Sequence, residues 1–274
     1  MNARQVLSVV RVECRKIGAQ FTARAVLAAC VAAPLAFVAV MRVQNTLPDD
    51  TLFGRAVKET GFATPLVVLG FAGLWALPAL SSVIGGDLFS AEDRYGTWGT
   101  VLARGCSRGD LFAGKVLTAM GFSTVAVATL AVSSIGAGVL AIGAQPLIDL
   151  SGSIQTSAQA LRLVLLAWAS VLPPVFAFTA LGVLLSVATR SSVAGVGAPV
   201  LAGLLLRLGA FADGPEWSRR LLIVSAFDAW HGLLNSHPYY GSIAAGSGIS
   251  GACILICLVL AYTLLQRRDI GNDR

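Results

Sequence analysis

The sequence predicts an all-α membrane protein with six transmembrane helices, and three observations support this fold class. Of the 274 residues, 56% are hydrophobic and only 12% are charged, about half the charged fraction of a typical soluble domain. The charges gather into a few clusters that separate six long apolar stretches. A stretch of about 20 apolar residues crosses a bilayer as a helix, because a helix satisfies its own backbone hydrogen bonds in lipid. Residues 1–274 therefore form a single transmembrane domain.

The apolar stretches differ in how clearly their ends are marked. The third lies in an uncharged run from Val116 to Ile148, so its far end stays open, and the Pro173-Pro174 pair should break or bend the fourth. The first follows a lead-in too long for a signal peptide, with no small-x-small cleavage site after it, and we interpret it as a retained span. The predicted spans are residues 25–41, 62–84, 116–142, 163–187, 193–212 and 241–265.

The distribution of basic residues predicts the orientation. With a cytoplasmic N-terminus, 13 of the 20 Lys and Arg residues lie on the cytoplasmic side, whereas the acidic residues divide equally between the two sides. Cytoplasmic loops of membrane proteins carry an excess of Lys and Arg. We therefore expect a multi-pass protein of the cell inner (plasma) membrane, with both termini and the stretch 85–115 in the cytoplasm.

Two segments outside the spans have amphipathic character. In residues 1–24, Val6, Val9, Val10 and Ile17 fall on one side of a helix and the basic residues fall largely on the other. This pattern is typical of a helix in the headgroup layer. Residues 213–240 form an outer loop whose apolar and aromatic content predicts one or two short helices.

Residues 85–115, GGDLFSAEDRYGTWGTVLARGCSRGDLFAGK, form the only long polar stretch in the chain, and we call them the central segment. In its first part, apolar and aromatic residues alternate with charged ones, which predicts a short amphipathic helix on the membrane surface. In its second part, Ser107 is the expected N-cap of the third span, with Gly109-Asp110 as the other candidate. Lys115 would anchor that span at the headgroups. A solvated loop with interfacial aromatic residues is the alternative reading.

At these residues the chain resembles the permease subunits of type 2 ABC exporters, which are membrane halves served by a separate ATPase. In that family the second span is followed by Glu, three residues, Gly-Thr, apolar residues, Ser-Arg and a Lys at the third span. The corresponding positions here are Glu92, Gly96-Thr97, Val101-Leu102, Ser107-Arg108 and Lys115. The basic run from Arg11 to Lys16 and the ending from Gln266 to Ile270 also resemble the family. Its usual proline before Ser-Arg is replaced by Gly105-Cys106.

The resemblance implies that the central segment contains a coupling helix that docks on the ATPase and transmits its closure to the second and third spans. Glu92 and Arg94 would be rim partners of the ATPase, and Tyr95 and Trp98 would be docking anchors. It also implies a homodimer or heterodimer of permeases meeting through the first, second and fifth spans. The implied ATPase-coupling residues are Glu92, Arg94, Tyr95, Gly96, Thr97, Trp98, Ser107, Arg108 and Lys115.

Several chemistries find no support in the sequence. No phosphate loop of the form G-x-x-x-x-G-K-[ST] occurs, so we expect no catalytic residue and no bound cofactor in this chain, with ATP and Mg used by the partner ATPase. No Asp or Glu lies at mid-membrane depth, which disfavours a secondary carrier. His231 and His237 lack a cluster of further ligands, so no metal site is predicted. No basic tract suggests nucleic-acid binding.

Arg207 is the one charge well inside a predicted span. We favour an arginine that extends to the outer interface; pairing with Asp228 or with a substrate anion, at a substrate path or outer gate, is the alternative. The predicted function is ATP-driven export of a hydrophobic or amphipathic cargo such as a drug, a lipid-linked compound or a peptide. A membrane scaffold or accessory protein without transport activity is the competing class, and an intramembrane enzyme is a third.

Overall fold

The computed structural model describes residues 2–43, 53–99, 106–149, 152–210, 223–235 and 238–268. It is about 85% helical, and the described residues contain six helices long and apolar enough to cross a membrane, which confirms the predicted class and number of spans. We number these helices span 1 (Phe21–Val43), span 2 (Ala63–Asp87), span 3 (Arg108–Ile142), span 4 (Ser157–Thr189), span 5 (Ser192–Gly209) and span 6 (Gly241–Gln266).

Breaks within and after the spans follow from proline and glycine. Span 4 consists of two helices, Ser157–Ser170 and Leu172–Thr189, and the proline pair occupies the first turn of the second. Proline is tolerated there because first-turn N–H groups have no partner within the helix. The predicted break is therefore confirmed. Span 3 ends at Ile142, because Gly143 follows with a φ of 111°.

Two local features were not predicted. Span 2 contains a π-helical turn, Ala72–Ala76, between the α-helices Ala63–Phe71 and Leu77–Asp87. Pro78 lies in the first turn of the second α-helix and cannot donate a backbone hydrogen bond. In addition, two short antiparallel strands between spans 3 and 4, β1 (Leu147–Ile148) and β2 (Ile154–Gln155), form a hairpin.

An N-terminal helix, α1 (Ala3–Ala19), precedes the spans and packs on span 3. Its buried side chains include Val6, Val9 and Ile17, which belong to the predicted apolar face. The contact is close, since a Cβ atom on Gly114 would lie only 2.6 Å from a methyl carbon of Val9. The helix thus reaches span 3 next to Lys115, at the end of the central segment.

Spans 2 and 4 form the centre of the bundle. They bury 50% and 61% of their most apolar stretches, against 17–22% for spans 1, 5 and 6, which are therefore peripheral. Small residues allow the backbones to approach: a Cβ atom on Gly86 would lie 2.3 Å from the carbonyl carbon of Gly195 in span 5. Before span 6, a 3₁₀ helix, Ile223–Leu234, packs its buried Phe227 and Trp230 against the bundle. In the described part of the predicted outer loop, residues 223–235 and 238–240, there is thus one short helix.

Candidate functional site

The central segment opens with a short helix, Ser90–Arg94, which we call the segment helix. It ends because Gly96 adopts a φ of +62°, which glycine reaches without a Cβ clash. The N–H of Gly96 donates to the carbonyl of Asp93 (3.3 Å) and the N–H of Thr97 to that of Glu92 (3.0 Å), the pattern of a Schellman cap. The helix is therefore shorter than the single amphipathic helix predicted. Val101 and Leu102 lie outside the described residues.

Span 4 holds the start of the segment helix. The backbone N–H groups of Phe89 and Ser90 both donate to the hydroxyl of Ser186, at 3.2 and 2.9 Å. These N–H groups belong to the first turn, where a helix has no internal acceptors. A side chain of span 4 thus fixes where the segment helix begins.

Glu92 and Lys115 pair inside the protein. The ammonium of Lys115 donates to a carboxylate oxygen of Glu92 at 3.0 Å and to the carbonyl of Leu88 at 2.9 Å. Thr97 donates its hydroxyl to the second carboxylate oxygen of Glu92. The motif of Glu, Gly-Thr and Lys therefore has a structural explanation: Gly96 ends the helix, which brings Thr97 onto Glu92, and Glu92 meets Lys115.

Helix α1 completes this arrangement. A carboxylate oxygen of Glu13 lies 3.2 Å from Lys115 Nζ and 3.2 Å from Lys16 Nζ, and Lys16 Nζ lies 2.8 Å from Glu92. We call Glu13, Lys16, Glu92 and Lys115 the ion cluster. Its two carboxylates and two ammonium groups balance, which offsets the desolvation cost of the three buried members, Glu13, Glu92 and Lys115. Lys16 lies at the solvent-facing edge, with its side chain 45% exposed.

The ion cluster changes the protonation of its members. Burial on its own would raise the pKa of Glu92, but the Lys115 charge and the hydrogen bonds from Lys16, Thr97 and Lys115 outweigh it and lower the pKa to about 2. For Lys16, burial acts to lower the pKa, and the hydrogen bond and charge of Glu92, together with Glu13, reverse this and raise it. Both groups are therefore held in their charged forms.

The sequence missed Glu13, although a signal was present. Glu13 lies four residues after Val9 and four before Ile17, so it falls on the apolar side of α1, where a lone carboxylate needs a buried partner. Its partners come from positions far along the chain. The predicted basic side of α1 is exposed, and Arg11 and Arg15 are among its residues.

Three residues expected to face outward are buried instead. Glu92 is 3% exposed, Lys115 1% and Trp98 7%, so Glu92 is no rim contact, Trp98 no free docking anchor and Lys115 no headgroup anchor. The reason is pairing: a charge or indole N–H that finds a partner inside the fold can be buried at little cost. Arg94 at the end of the segment helix, and Tyr95 and Gly96 directly after it, are exposed.

Ser107 caps the start of span 3, and Arg108 joins span 3 to span 6. Ser107 is the N-cap of span 3, as predicted, and its hydroxyl accepts a hydrogen bond from the N–H of Asp110. Arg108 donates to the carbonyls of Leu265 (3.3 Å), Gln266 (3.0 Å) and Arg268 (2.9 Å). Carbonyls at a helix end lack internal partners, so Arg108 caps span 6.

At the far end of the bundle, Arg207 pairs with Asp228 rather than extending outward. Its guanidinium forms a bidentate ion pair with the carboxylate, with Nη2 3.1 Å from Oδ1, and its side chain is only 14% exposed. Nη2 also lies 3.4 Å from the carbonyl of Gly73, in the π-helical turn of span 2. The favoured interpretation of Arg207 was therefore wrong, and the pairing alternative describes the structure.

An apolar groove lies beside the π-helical turn, between spans 1 and 2. Its volume is about 400 Å³, and its walls include Phe37, Phe71 and Trp75. Trp75 is 59% exposed, so the groove opens on the surface of this single chain. Such a groove suits an apolar group or a second helix.

Comparison with known proteins identifies the chain. The family model described as ABC-2 family transporter protein matches residues 9–201, which include most of α1, spans 1 to 4, the whole central segment and the first half of span 5. A search of curated proteins gave no significant match. Because the family match covers more than half of the 274 residues, the chain belongs to the ABC-2 family of transporter proteins.

Proposed function

We propose that this permease drives export by receiving the movement of its ATPase through the segment helix. ABC-2 membrane subunits are permeases of ABC transporters that are not themselves the ATPase and that work with a separate one. The observation that carries the proposal is the ion cluster, in which Glu92 of the segment helix is bonded to α1 and to span 3.

The segment helix needs these contacts to transmit force. A helix of five residues is not stable alone, because helix nucleation is unfavourable and few hydrogen bonds repay it. Lys115 holds it to span 3, Ser186 holds it to span 4, and it follows span 2 directly along the chain. Movement applied at its exposed surface therefore reaches three spans as one body.

The contact with the ATPase falls on the exposed residues of the segment. Tyr95 is 71% exposed, and the guanidinium of Arg94 lies 4.9 Å from the centre of its ring. Arg94 also pairs with Asp87 at 3.2 Å. An aromatic ring beside an orientated cation suits a docking surface, since Tyr and Arg are enriched among the residues that dominate binding energy.

The remaining parts of the proposal concern orientation, assembly and cargo. Both termini would be cytoplasmic, and two permeases would meet through spans 1, 2 and 5. Each of these spans has exposed apolar side chains that such an interface would cover, among them Leu35, Trp75 and Leu205. The apolar groove supports a hydrophobic or amphipathic cargo, and the Arg207–Asp228 pair would lie at the outer end of its path.

Chemical cross-linking in the assembled complex tests the proposal. The permease, with its native cysteines replaced and Tyr95→Cys introduced, would be co-expressed and co-purified with its separate ABC ATPase and treated with a short bifunctional maleimide. We expect a cross-link to the ATPase from Tyr95→Cys and none from Leu140→Cys. Leu140 is 89% exposed and lies about 37 Å along span 3 from Lys115, at 1.5 Å per residue.

Two outcomes would contradict the proposal. Labelling of Tyr95→Cys by a membrane-impermeant maleimide added outside intact cells would put the segment on the wrong side of the membrane. A complex in which the permease leaves ATP turnover unchanged would instead favour the competing class, a membrane scaffold that binds an ATPase without being driven by it.

A further inference from the structure

Span 6 ends against the central segment. Arg268, just beyond the helix, donates from Nη2 to Oδ1 of Asp93 in the segment helix. The side chains are 9% and 15% exposed, so the pair is largely shielded from water. An ion pair in such surroundings is more strongly coupled than a pair on the open surface.

Trp98 fixes the geometry of this pair. Its indole N–H donates to the same oxygen of Asp93 at 2.9 Å, and the guanidinium of Arg268 lies 5.4 Å from the centre of its ring. A row of rings continues from Trp98 to span 6, with centroid separations of 6.4, 5.7 and 5.4 Å. The row consists of Trp98, Phe89, Phe112 and Tyr262.

Span 3 also contacts the C-terminal end of span 6. Arg108 donates to three carbonyls there, including that of Arg268, so the backbone that carries the Arg268 side chain is itself fixed. The position of Arg268 is therefore set by span 3, and Arg268 in turn sets the position of Asp93.

Neighbouring carboxylates thus connect the segment helix to opposite ends of the chain. Glu92 bonds to α1 and span 3, and Asp93 bonds to the end of span 6. We infer that Arg268 is a positioning residue for coupling: through Asp93 it keeps the segment helix in the orientation that meets the ATPase and extends the driven body to span 6. This inference rests on the proposed function.

The consequence of losing one attachment is specific. Without Arg268 the segment helix keeps Glu92, Ser186 and its exposed Tyr95, so the ATPase can still bind. The helix can then rotate about its remaining attachments, and ATPase closure is absorbed by that rotation. Binding and coupling should therefore separate.

The test measures ATP turnover and ATPase binding for the purified complex in liposomes. The variants are Arg268→Gln, Asp93→Asn and the exchange Asp93→Arg with Arg268→Asp. Arg267→Gln is the matched control, because Arg267 is adjacent, carries the same charge and is exposed. Each single variant should bind the ATPase at wild-type stoichiometry. Its permease-stimulated rate of ATP turnover should be about tenfold lower than that of the wild type. The exchange should recover at least half of that loss.

Two results would overturn the inference: single variants that stimulate turnover within twofold of Arg267→Gln, or an exchange no better than the single variants. Its failure is distinguishable from that of the proposed function, which would appear as an absent cross-link from Tyr95→Cys in a permease that keeps both Arg268 and Asp93. Recovery in the exchange also excludes misfolding as the cause, because a merely damaged fold would not be restored by a second substitution.

Discussion

The ammonium of Lys115 lies 3.0 Å from the carboxylate of Glu92, and both side chains are almost completely buried. Lys115 lies about two turns into span 3, and Glu92 belongs to the segment helix, 23 residues earlier. This pair joins the segment helix to span 3.

Replacing Lys115 by Met should leave Lys16 as the one cation of the ion cluster that still pairs with the two buried carboxylates, Glu13 and Glu92. We expect the free energy of unfolding in detergent to fall by about 3–5 kcal/mol, the usual cost of removing one partner of a buried ion pair. Arg11→Gln, on the exposed side of α1, should change it by less than about 0.5 kcal/mol. Thermal or denaturant unfolding measures both.

The combination of Lys115→Met with Glu92→Gln checks the cause. Because the second substitution removes one stranded charge, the double variant should be more stable than the sum of the single effects predicts. Strict additivity would mean that the Glu92–Lys115 contact is not responsible.

The stability of the protein should depend on pH through Glu92. Its pKa falls from an ordinary value of 4.5 to about 2 in the fold. A depressed folded-state pKa stabilises the protein above the unfolded value, so this contribution is complete above pH 4.5 and is lost between pH 4.5 and 2. Subtracting the unfolding curve of Glu92→Gln from that of the wild type should leave a slope confined to this window. A difference independent of pH would contradict it.

The sequence predicted the features that depend on nearby residues. Long apolar stretches predicted the six spans, and the Pro173-Pro174 pair predicted the break in span 4. Ser107 was recognised as the N-cap of span 3 because the capping hydrogen bond reaches only three residues along the chain. Each of these signals is local, so no tertiary contact was needed to read it.

What the sequence could not predict depends on distant partners. Glu92 meets Lys16 across 76 positions and Arg268 meets Asp93 across 175. When those partners are unknown, a charged residue in a polar segment is expected to face water, and the family resemblance implied a place for Glu92 at the rim of the docking surface. The contact of Arg207 with the carbonyl of Gly73, in the π-helical turn, likewise joins residues 134 positions apart.

Gly96→Ala should destabilise the end of the segment helix by about 1–2 kcal/mol, because an L-residue pays for the left-handed conformation. No heavy atom lies within 4 Å of the position a Cβ would take, so the cost comes from the backbone alone. Gly96→Asn should therefore cost less than Gly96→Ala, since Asn tolerates this conformation. Comparing their unfolding free energies measures the difference, and equal costs would point to a steric origin.

Gly86→Ala should disturb the packing of spans 2 and 5. Its Cβ would lie 2.3 Å from the backbone of Gly195, and backbone atoms cannot move aside as a flexible side chain can. We expect a loss of about 1–3 kcal/mol, typical of overpacking. Gly121→Ala in span 3, where a Cβ would meet nothing within 4 Å, is the control and should be neutral or stabilising. Similar losses for the two variants would refute close packing at Gly86.

A double-mutant cycle on Arg207→Gln and Asp228→Asn should give a coupling energy of about 0.5–3 kcal/mol, as expected for residues joined by an ion pair. An arginine extending into the interface would give a coupling near zero, so the cycle separates the two interpretations of this residue. Arg207→Lys should recover only part of the coupling, because an ammonium cannot make the bidentate contact that the guanidinium makes with Asp228.

The π-helical turn of span 2 should also depend on Arg207. When Arg207 is replaced, the carbonyl of Gly73 loses the donor that lies 3.4 Å away. Hydrogen exchange in span 2 should then rise around Ala72–Ala76 in Arg207→Gln but not in Asp228→Asn, where the arginine remains. Equal exchange in the two variants would show that the π-helical turn is independent of Arg207.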